Sequence, residues 1–160
     1  MKKFILVDPE KCIGCRTCAL ACSFEHEDCF NLTLSRINPL WLQEVGVFFP
    51  FTCQQCEEPL CMEACPRSAI TRDSETGAVI VDDALCIGCR SCFYACPFGI
   101  PVINTRKGYM IKCNLCGGSP QCVQHCPREA LSLVETDDAA QEKRREAARK
   151  INVLIEKATA

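Results

Sequence analysis

The sequence has no apolar run long enough to cross a bilayer, so the chain itself is not expected to span a membrane. Its opening residues, Met1-Lys2-Lys3-Phe4-Ile5-Leu6-Val7-Asp8-Pro9, include two lysines but no apolar signal core or cleavage site, and no arginine pair stands near the start. A cytoplasmic location is the expectation. Aliphatic material is also scarce. The apolar fraction of 48% counts 17 cysteines; without them roughly 37% remains, little for a conventional core of this size. A basic face for nucleic acid is missing as well. Residues 1–136 hold 12 Lys and Arg against 15 Asp and Glu, and residues 137–160 hold 6 against 5, for a net charge of −2.

What stands in place of these is cysteine, at more than a tenth of the chain. That content usually marks a secreted disulfide scaffold. Here the count is odd, and neighbouring cysteines stand two or three residues apart, too close for a set of unstrained long-range bridges. They read as metal ligands in a reducing compartment.

Sixteen of them fall into four quartets: Cys12, Cys15, Cys18 and Cys22; Cys53, Cys56, Cys61 and Cys65; Cys86, Cys89, Cys92 and Cys96; Cys113, Cys116, Cys122 and Cys126. The last three end in Cys-Pro, at Pro66, Pro97 and Pro127. Cys12-Ile13-Gly14-Cys15-Arg16-Thr17-Cys18 differs from Cys86-Ile87-Gly88-Cys89-Arg90-Ser91-Cys92 only by Thr for Ser. The second and fourth quartets share a longer gap between their second and third cysteines. Such an internal repeat indicates duplicated ferredoxin modules.

A cubane [4Fe–4S] cluster takes one thiolate per iron. A C-x2-C-x2-C loop wraps three corners of one cube, and in the bacterial pattern the fourth cysteine ligates the other cluster of the pair. Gly14 and Gly88 let the loop approach closely, so that backbone N–H groups face the sulfurs. Quartets two and three are adjacent, joined by a hairpin at 66–85 whose turn is Asp73-Ser74-Glu75-Thr76-Gly77, and form one pair; quartets one and four form the other. Cluster A then uses Cys12, Cys15, Cys18 and Cys126, and cluster B Cys113, Cys116, Cys122 and Cys22. Cluster C uses Cys53, Cys56, Cys61 and Cys96, and cluster D Cys86, Cys89, Cys92 and Cys65. With sixteen ligands for four clusters no iron is left open to substrate, which points away from catalysis. Zinc is the rival metal, in a scaffolding protein, but a zinc ribbon needs only two C-x2-C pairs and gains nothing from the third cysteine and the x3-Cys-Pro ending.

Apolar runs at 4–7, 45–49, 78–81, 109–111 and 131–134 have strand length. The stretches 61–65 and 92–96 read as helical turns stopped by proline. Pairing 4–7 with 131–134 would close the first quartet onto the last. The expected fold is α+β: two ferredoxin-like modules related by pseudo-twofold symmetry within 1–136, the inner one at 53–103, and a C-terminal amphipathic helix at 137–160. That helix would begin at a capping box, Asp138 to Gln141, and carry Ala147, Ala148, Ile151, Leu154, Ile155 and Ala158 on one face. It is equally suited to dock a partner or to lie on its own domain.

Outside the quartets, Cys29 reads as a small apolar filler, and His26, among Glu25, Glu27 and Asp28, as a surface residue like His125. Arg16, Arg90, Lys112 and Arg128 would either offset cluster charge or solvate the surface. Trp41, Phe48, Phe49 and Phe51 read as apolar cover over a cluster.

The quartets, with the short x5 gap from Cys116 to Cys122, Ala21-Cys22-Ser23-Phe24-Glu25 and Ser35-Arg36-Ile37, resemble the four-cluster ferredoxin-like subunits of molybdenum and tungsten pterin oxidoreductases. The dimethyl-sulfoxide-reductase family supplies examples; the short form is most similar to the subunits of tungsten aldehyde oxidoreductases and tungsten-type benzoyl-CoA reductases. The resemblance covers about residues 4–135 and implies the same pairing of quartets. It also implies an electron-transfer subunit serving a catalytic partner of that type, and allows for a further donor or acceptor protein in contact. Small subunits of hydrogenase or carbon monoxide dehydrogenase, and a free-standing polyferredoxin shuttle, are the alternatives.

Overall fold

The computed structural model describes residues 3–135 and, beyond them, residues 141, 142, 145, 146, 148–150, 153 and 156. Four two-stranded antiparallel sheets alternate with short helices. Strand β1 (Lys3–Val7) is followed by helix α1 (Thr17–Glu27) and the hairpin of β2 (Ile37–Leu42) and β3 (Val47–Thr52). Helix α2 (Leu60–Glu63) precedes the hairpin of β4 (Ile70–Arg72) and β5 (Val79–Val81). Helix α3 (Ser91–Ala95), the pair β6 (Val102–Ile103) and β7 (Met110–Ile111), helix α4 (Gln121–Gln124) and strand β8 (Leu131–Glu135) complete the order.

The pairing of β1 with β8 decides the topology. Val7 lies opposite Leu131 and Phe4 opposite Val134, as the apolar runs at 4–7 and 131–134 lead one to expect. The ladder runs on through a bond from Asp8 N to Ala130 O at 2.8 Å. Phe4, Ile5, Val7 and Leu131 are buried there, each contributing about 1.5–3 kcal/mol. Because the first quartet follows β1 and the last precedes β8, this pairing carries them to the same place. Helix α1 packs on α4, and α2 on α3.

Cysteine is part of the core. One buried cluster joins Ile5, Val7, Ile37, Leu115 and Leu131 to Cys18, Cys22, Cys53, Cys113 and Cys122; a smaller one joins Ile70, Val79 and Met110 to Cys61 and Cys92.

The internal repeat recurs in the backbone. Arg16 and Arg90 have φ of 61° and 65°, Gln55 and Leu115 49° and 58°, Ser68 and Glu129 51° and 50°. Each pair occupies matching places in two quartets, and positive φ is uncommon in residues other than glycine. One departure is instructive. Helix α3 stops at Ala95, just before Cys96-Pro97, whereas α1 passes through Cys22 to Glu27. Ser23 replaces the proline there, so no N–H is missing from the next turn. The Ser23 hydroxyl donates to Leu20 O and accepts from Asn31 N at 3.0 and 3.1 Å. Sequence patterning alone misses this helix, and also β2 and β6, whereas the hairpin expected at 66–85 is formed by β4 and β5.

Other expectations need correction. Trp41 is 52% exposed, so it covers less than its neighbours. Cys29 is half-buried, with the Arg106 guanidinium donating to its sulfur at 3.2 Å, and is no apolar filler. Of the C-terminal segment, the described residues are helical; Asp137, Asp138, Ala147, Ile151, Leu154, Ile155 and Ala158 lie outside them. Lys150 reaches back to Glu10 at 3.1 Å and Asp8 at 3.9 Å.

Candidate metal centre

All seventeen cysteines are among the described residues, and none forms a disulfide. The sixteen in quartets gather into four sets. Cys12, Cys15, Cys18 and Cys126 line one cavity, closed over by Pro39 and Pro50, which face each other across β2 and β3. Proline is tolerated in mid-strand there because each strand of a two-stranded sheet has a free edge. Burial pushes the Cys18 thiol up to about 12, with Cys12, Cys15 and Cys126 adding to the effect.

Cys22, Cys113, Cys116 and Cys122 form the second set. Burial drives Cys113 up to about 11 and raises Cys116 and Cys122, and the field at Cys122 comes mainly from Cys113, Cys22 and Cys116. In the third set burial raises Cys61, the Lys112 ammonium opposes the rise, and Cys53, Cys96 and Cys56 reinforce it. Cys65, Cys86, Cys89 and Cys92 line a second cavity, where burial lifts Cys92 to about 11.

The sets also touch one another in sequence. Cys122 feels Cys18 of the first set, Cys113 feels Cys53 of the third, and Cys92 feels Cys61. The two ends of this row hold the exposed Cys15 and Cys89. Both of those thiols are lowered, by the Thr17 and Ser91 hydroxyls respectively, which lie 3.5 and 3.4 Å from the sulfurs. The Thr-for-Ser difference between the two loops thus keeps a hydroxyl in one place, a signal the sequence already held.

Backbone N–H groups are aimed at the thiols. Arg36 N donates to Cys22 Sγ and Ala130 N to Cys126 Sγ, both at 3.3 Å. Ala69 N donates to Cys65 Sγ at 3.3 Å, Met110 N to Cys86 Sγ at 3.4 Å and Gln55 N to Cys53 Sγ at 3.5 Å. Sulfurs with backbone donors already facing them suit a site that gives up protons when metal arrives. Among the described residues no three His, Cys, Asp or Glu side chains converge on a point as a single ion needs. Four thiols spread around a cavity suit a cube with one iron at each corner. The residues present fit [4Fe–4S] clusters.

The pattern of the 4Fe-4S dicluster domain family matches residues 45–136, and that of the 4Fe-4S binding domain residues 3–24. The chain belongs to the 4Fe–4S dicluster family. It is similar to the aliphatic sulfonate oxidoreductase polyferredoxin-like subunit of Pyrococcus furiosus, 43% identical over 82% of this chain and 77% of the relative. A subunit of the anaerobic dimethyl sulfoxide reductase of Escherichia coli is 37% identical over 82% of this chain and 73% of its own length. Electron transport protein HydN of Escherichia coli is 39% identical over 92% of this chain and 98% of its own. As a member of this family the protein carries [4Fe–4S] clusters and transfers electrons, and its relatives are named as electron transport proteins or as subunits of oxidoreductases. Among the described residues no helix is long and apolar enough to cross a membrane.

The residues around the thiols do not all take the places expected of them. Arg16, Arg90 and Arg128 are exposed, and His125 is exposed, its ring Nδ1 3.0 Å from Gln121 O. Lys112 is only 3% exposed. His26 is no surface residue: its ring is half-buried, with Nε2 3.5 Å from Cys116 Sγ. Burial first, then the Arg36 charge, push its pKa down to about 4. The acidic neighbours in sequence gave a misleading signal because α1 turns His26 inward while Glu25 stays exposed.

Proposed function

We propose that the protein holds four [4Fe–4S] clusters on its sixteen quartet cysteines and relays single electrons to or from the catalytic subunit of an oxidoreductase, a tungsten or molybdenum pterin enzyme. The observation that supports this best is the unbroken row of four thiol sets, running from the exposed Cys15 through two sets without an exposed thiol to the exposed Cys89. The clusters supply the one-electron couples. The chain's own residues separate the ligand sets and present donors to the sulfurs.

The same row supports the ligand pairing of quartet one with four and two with three, in two modules within residues 1–136. Matching positive φ at Arg16 and Arg90, Gln55 and Leu115, and Ser68 and Glu129 supports pseudo-twofold symmetry. For the segment 137–160, the bridges from Lys150 to Asp8 and Glu10 favour a helix lying on its own domain over one reserved for a partner. A catalytic partner is suggested by the names of the sulfonate oxidoreductase and dimethyl sulfoxide reductase relatives. HydN, named for electron transport alone, favours a second reading as a free-standing carrier.

Anaerobic isolation from the native host tests both points. About sixteen iron atoms per chain are expected, together with a catalytic subunit that stays bound on dilution. Zinc in a fully metallated protein would end the cluster reading, and a lone iron-loaded chain would favour the carrier. Cys126→Ser is expected to alter the same paramagnetic signal as Cys12→Ser, and Cys22→Ser the same one as Cys116→Ser; Cys22 grouping with Cys12 would overturn the pairing.

A further inference from the structure

Lys112 stands just beyond β7 and just before Cys113, and its side chain turns into the protein, where it is 3% exposed. The ammonium donates to Val79 O and, at 3.5 Å, to Cys113 O. Gln55, also buried, completes the arrangement: its Oε1 accepts from Val79 N at 2.8 Å and its Nε2 donates to Cys113 O at 3.0 Å. Two carbonyls satisfy hydrogen bonds but do not neutralise a charge. Among the described residues Lys112 forms no ion pair. A buried ammonium without an anion is strongly disfavoured, so an anion of another kind belongs beside it.

The neighbouring thiols indicate where. Gln55, which meets the same two residues as the ammonium, stands between Cys53 and Cys56, and Val79, whose carbonyl the ammonium reaches, packs in one buried cluster with Cys61. We propose that Lys112 is the built-in counter-charge of the inner cluster held by Cys53, Cys56, Cys61 and Cys96, and that it raises the reduction potential of that cluster. The inference rests on the ligand grouping proposed above. Adding an electron makes the cluster more negative, and a fixed cation in a low-dielectric setting favours the more negative state. Gln55 is a positioning residue that holds Val79 and Cys113 where their carbonyls receive the ammonium.

The test is a potentiometric titration of the isolated holoprotein followed by electron paramagnetic resonance, with the signal of this cluster assigned through its change in Cys56→Ser. Iron near sixteen per chain in the unmodified protein secures four filled clusters, and Cys96→Ser altering the same signal as Cys56→Ser secures the grouping, both independently of the potentials. Lys112→Gln keeps a donor but removes the charge. It is expected to lower the reduced-to-oxidised ratio of this cluster about tenfold at a fixed potential, equivalent to about 59 mV for one electron, with little change in the other signals. Lys112→Arg keeps the charge and is expected to stay near the original potential. An unchanged potential in Lys112→Gln with all iron present would overturn the proposal, as would an equal fall in Lys112→Arg. Where Lys112→Gln fails to load the cluster, iron content decides: loss in that variant alone supports the counter-charge, and equal loss in Lys112→Arg refutes it.

Discussion

Gly88 lies so close to Gly108 that a Cβ built on it would overlap the Gly108 carbonyl oxygen, and its φ of +66° is itself costly for any other residue. The carbonyl belongs to a tight turn that the Asn104 side chain fixes by accepting from Arg106 N and Lys107 N at 3.0 and 3.1 Å. Backbone held in this way cannot step aside. Gly88→Ala is therefore expected to displace the loop of Cys86, Cys89 and Cys92 and to lower the iron content by about four atoms per chain. At its counterpart Gly14 the nearest atoms to such a Cβ all belong to the Phe48 ring. A ring can rotate away, so Gly14→Ala should retain more iron. Equal loss in both variants would contradict the argument.

The imidazole of His26 is placed to tune the cluster that uses Cys116. With its Nε2 3.5 Å from that sulfur, the ring can donate to the thiolate. Hydrogen bonds to cluster sulfurs raise the potential. His26→Phe fills similar space without the donor and is expected to move that cluster to a lower potential while the iron content stays the same. An unchanged potential would show that the ring does not donate.

Glu27, at the end of α1, and Lys107 form an ion pair at 3.0 Å that ties this helix to the turn beside Gly108. The Glu27 side chain is 2% exposed and Lys107 49%. Burial works against the Glu27 charge, but Lys107 and Asn104, with Arg36 nearby, hold the carboxyl below its usual range. Its contribution is then fully present above the unfolded value near about 4.3 and is lost as pH falls through the lower folded value. Lys107→Met leaves a shielded carboxylate without its cation and should destabilise the protein at neutral pH. In that variant only Asn104 and Arg36 still oppose burial, so the carboxyl rises and the penalty is relieved by protonation. The gap between the two proteins in urea-induced unfolding under anaerobic conditions should narrow toward acid pH. A gap independent of pH would mean that Glu27 is not the group responsible.

Ligand spacing is a property of the chain, and so the quartets, the near-identical loops and the Cys-Pro stops could be read before any coordinate. The apolar runs at 4–7 and 131–134, the first and last of strand length, also pointed to the closure of β1 on β8. Helix α1 could have been found from Ser23, which stands where the other quartets carry proline. The inward turn of His26 and the burial of Lys112 could not. Neither follows from local composition, since each depends on which distant group, the Cys116 sulfur in one case and the Val79 carbonyl in the other, folds against it.

By itself, then, the sequence determined the metal chemistry: four groups of thiols at cubane spacing, in a duplicated module, with too little aliphatic surface to fold around anything else. Tertiary structure decided the order of the thiol sets and the charges placed between them. Spacing acts through a few covalent bonds and survives in any conformation, whereas an electrostatic neighbour exists only once chain segments dozens of residues apart have packed together and excluded water.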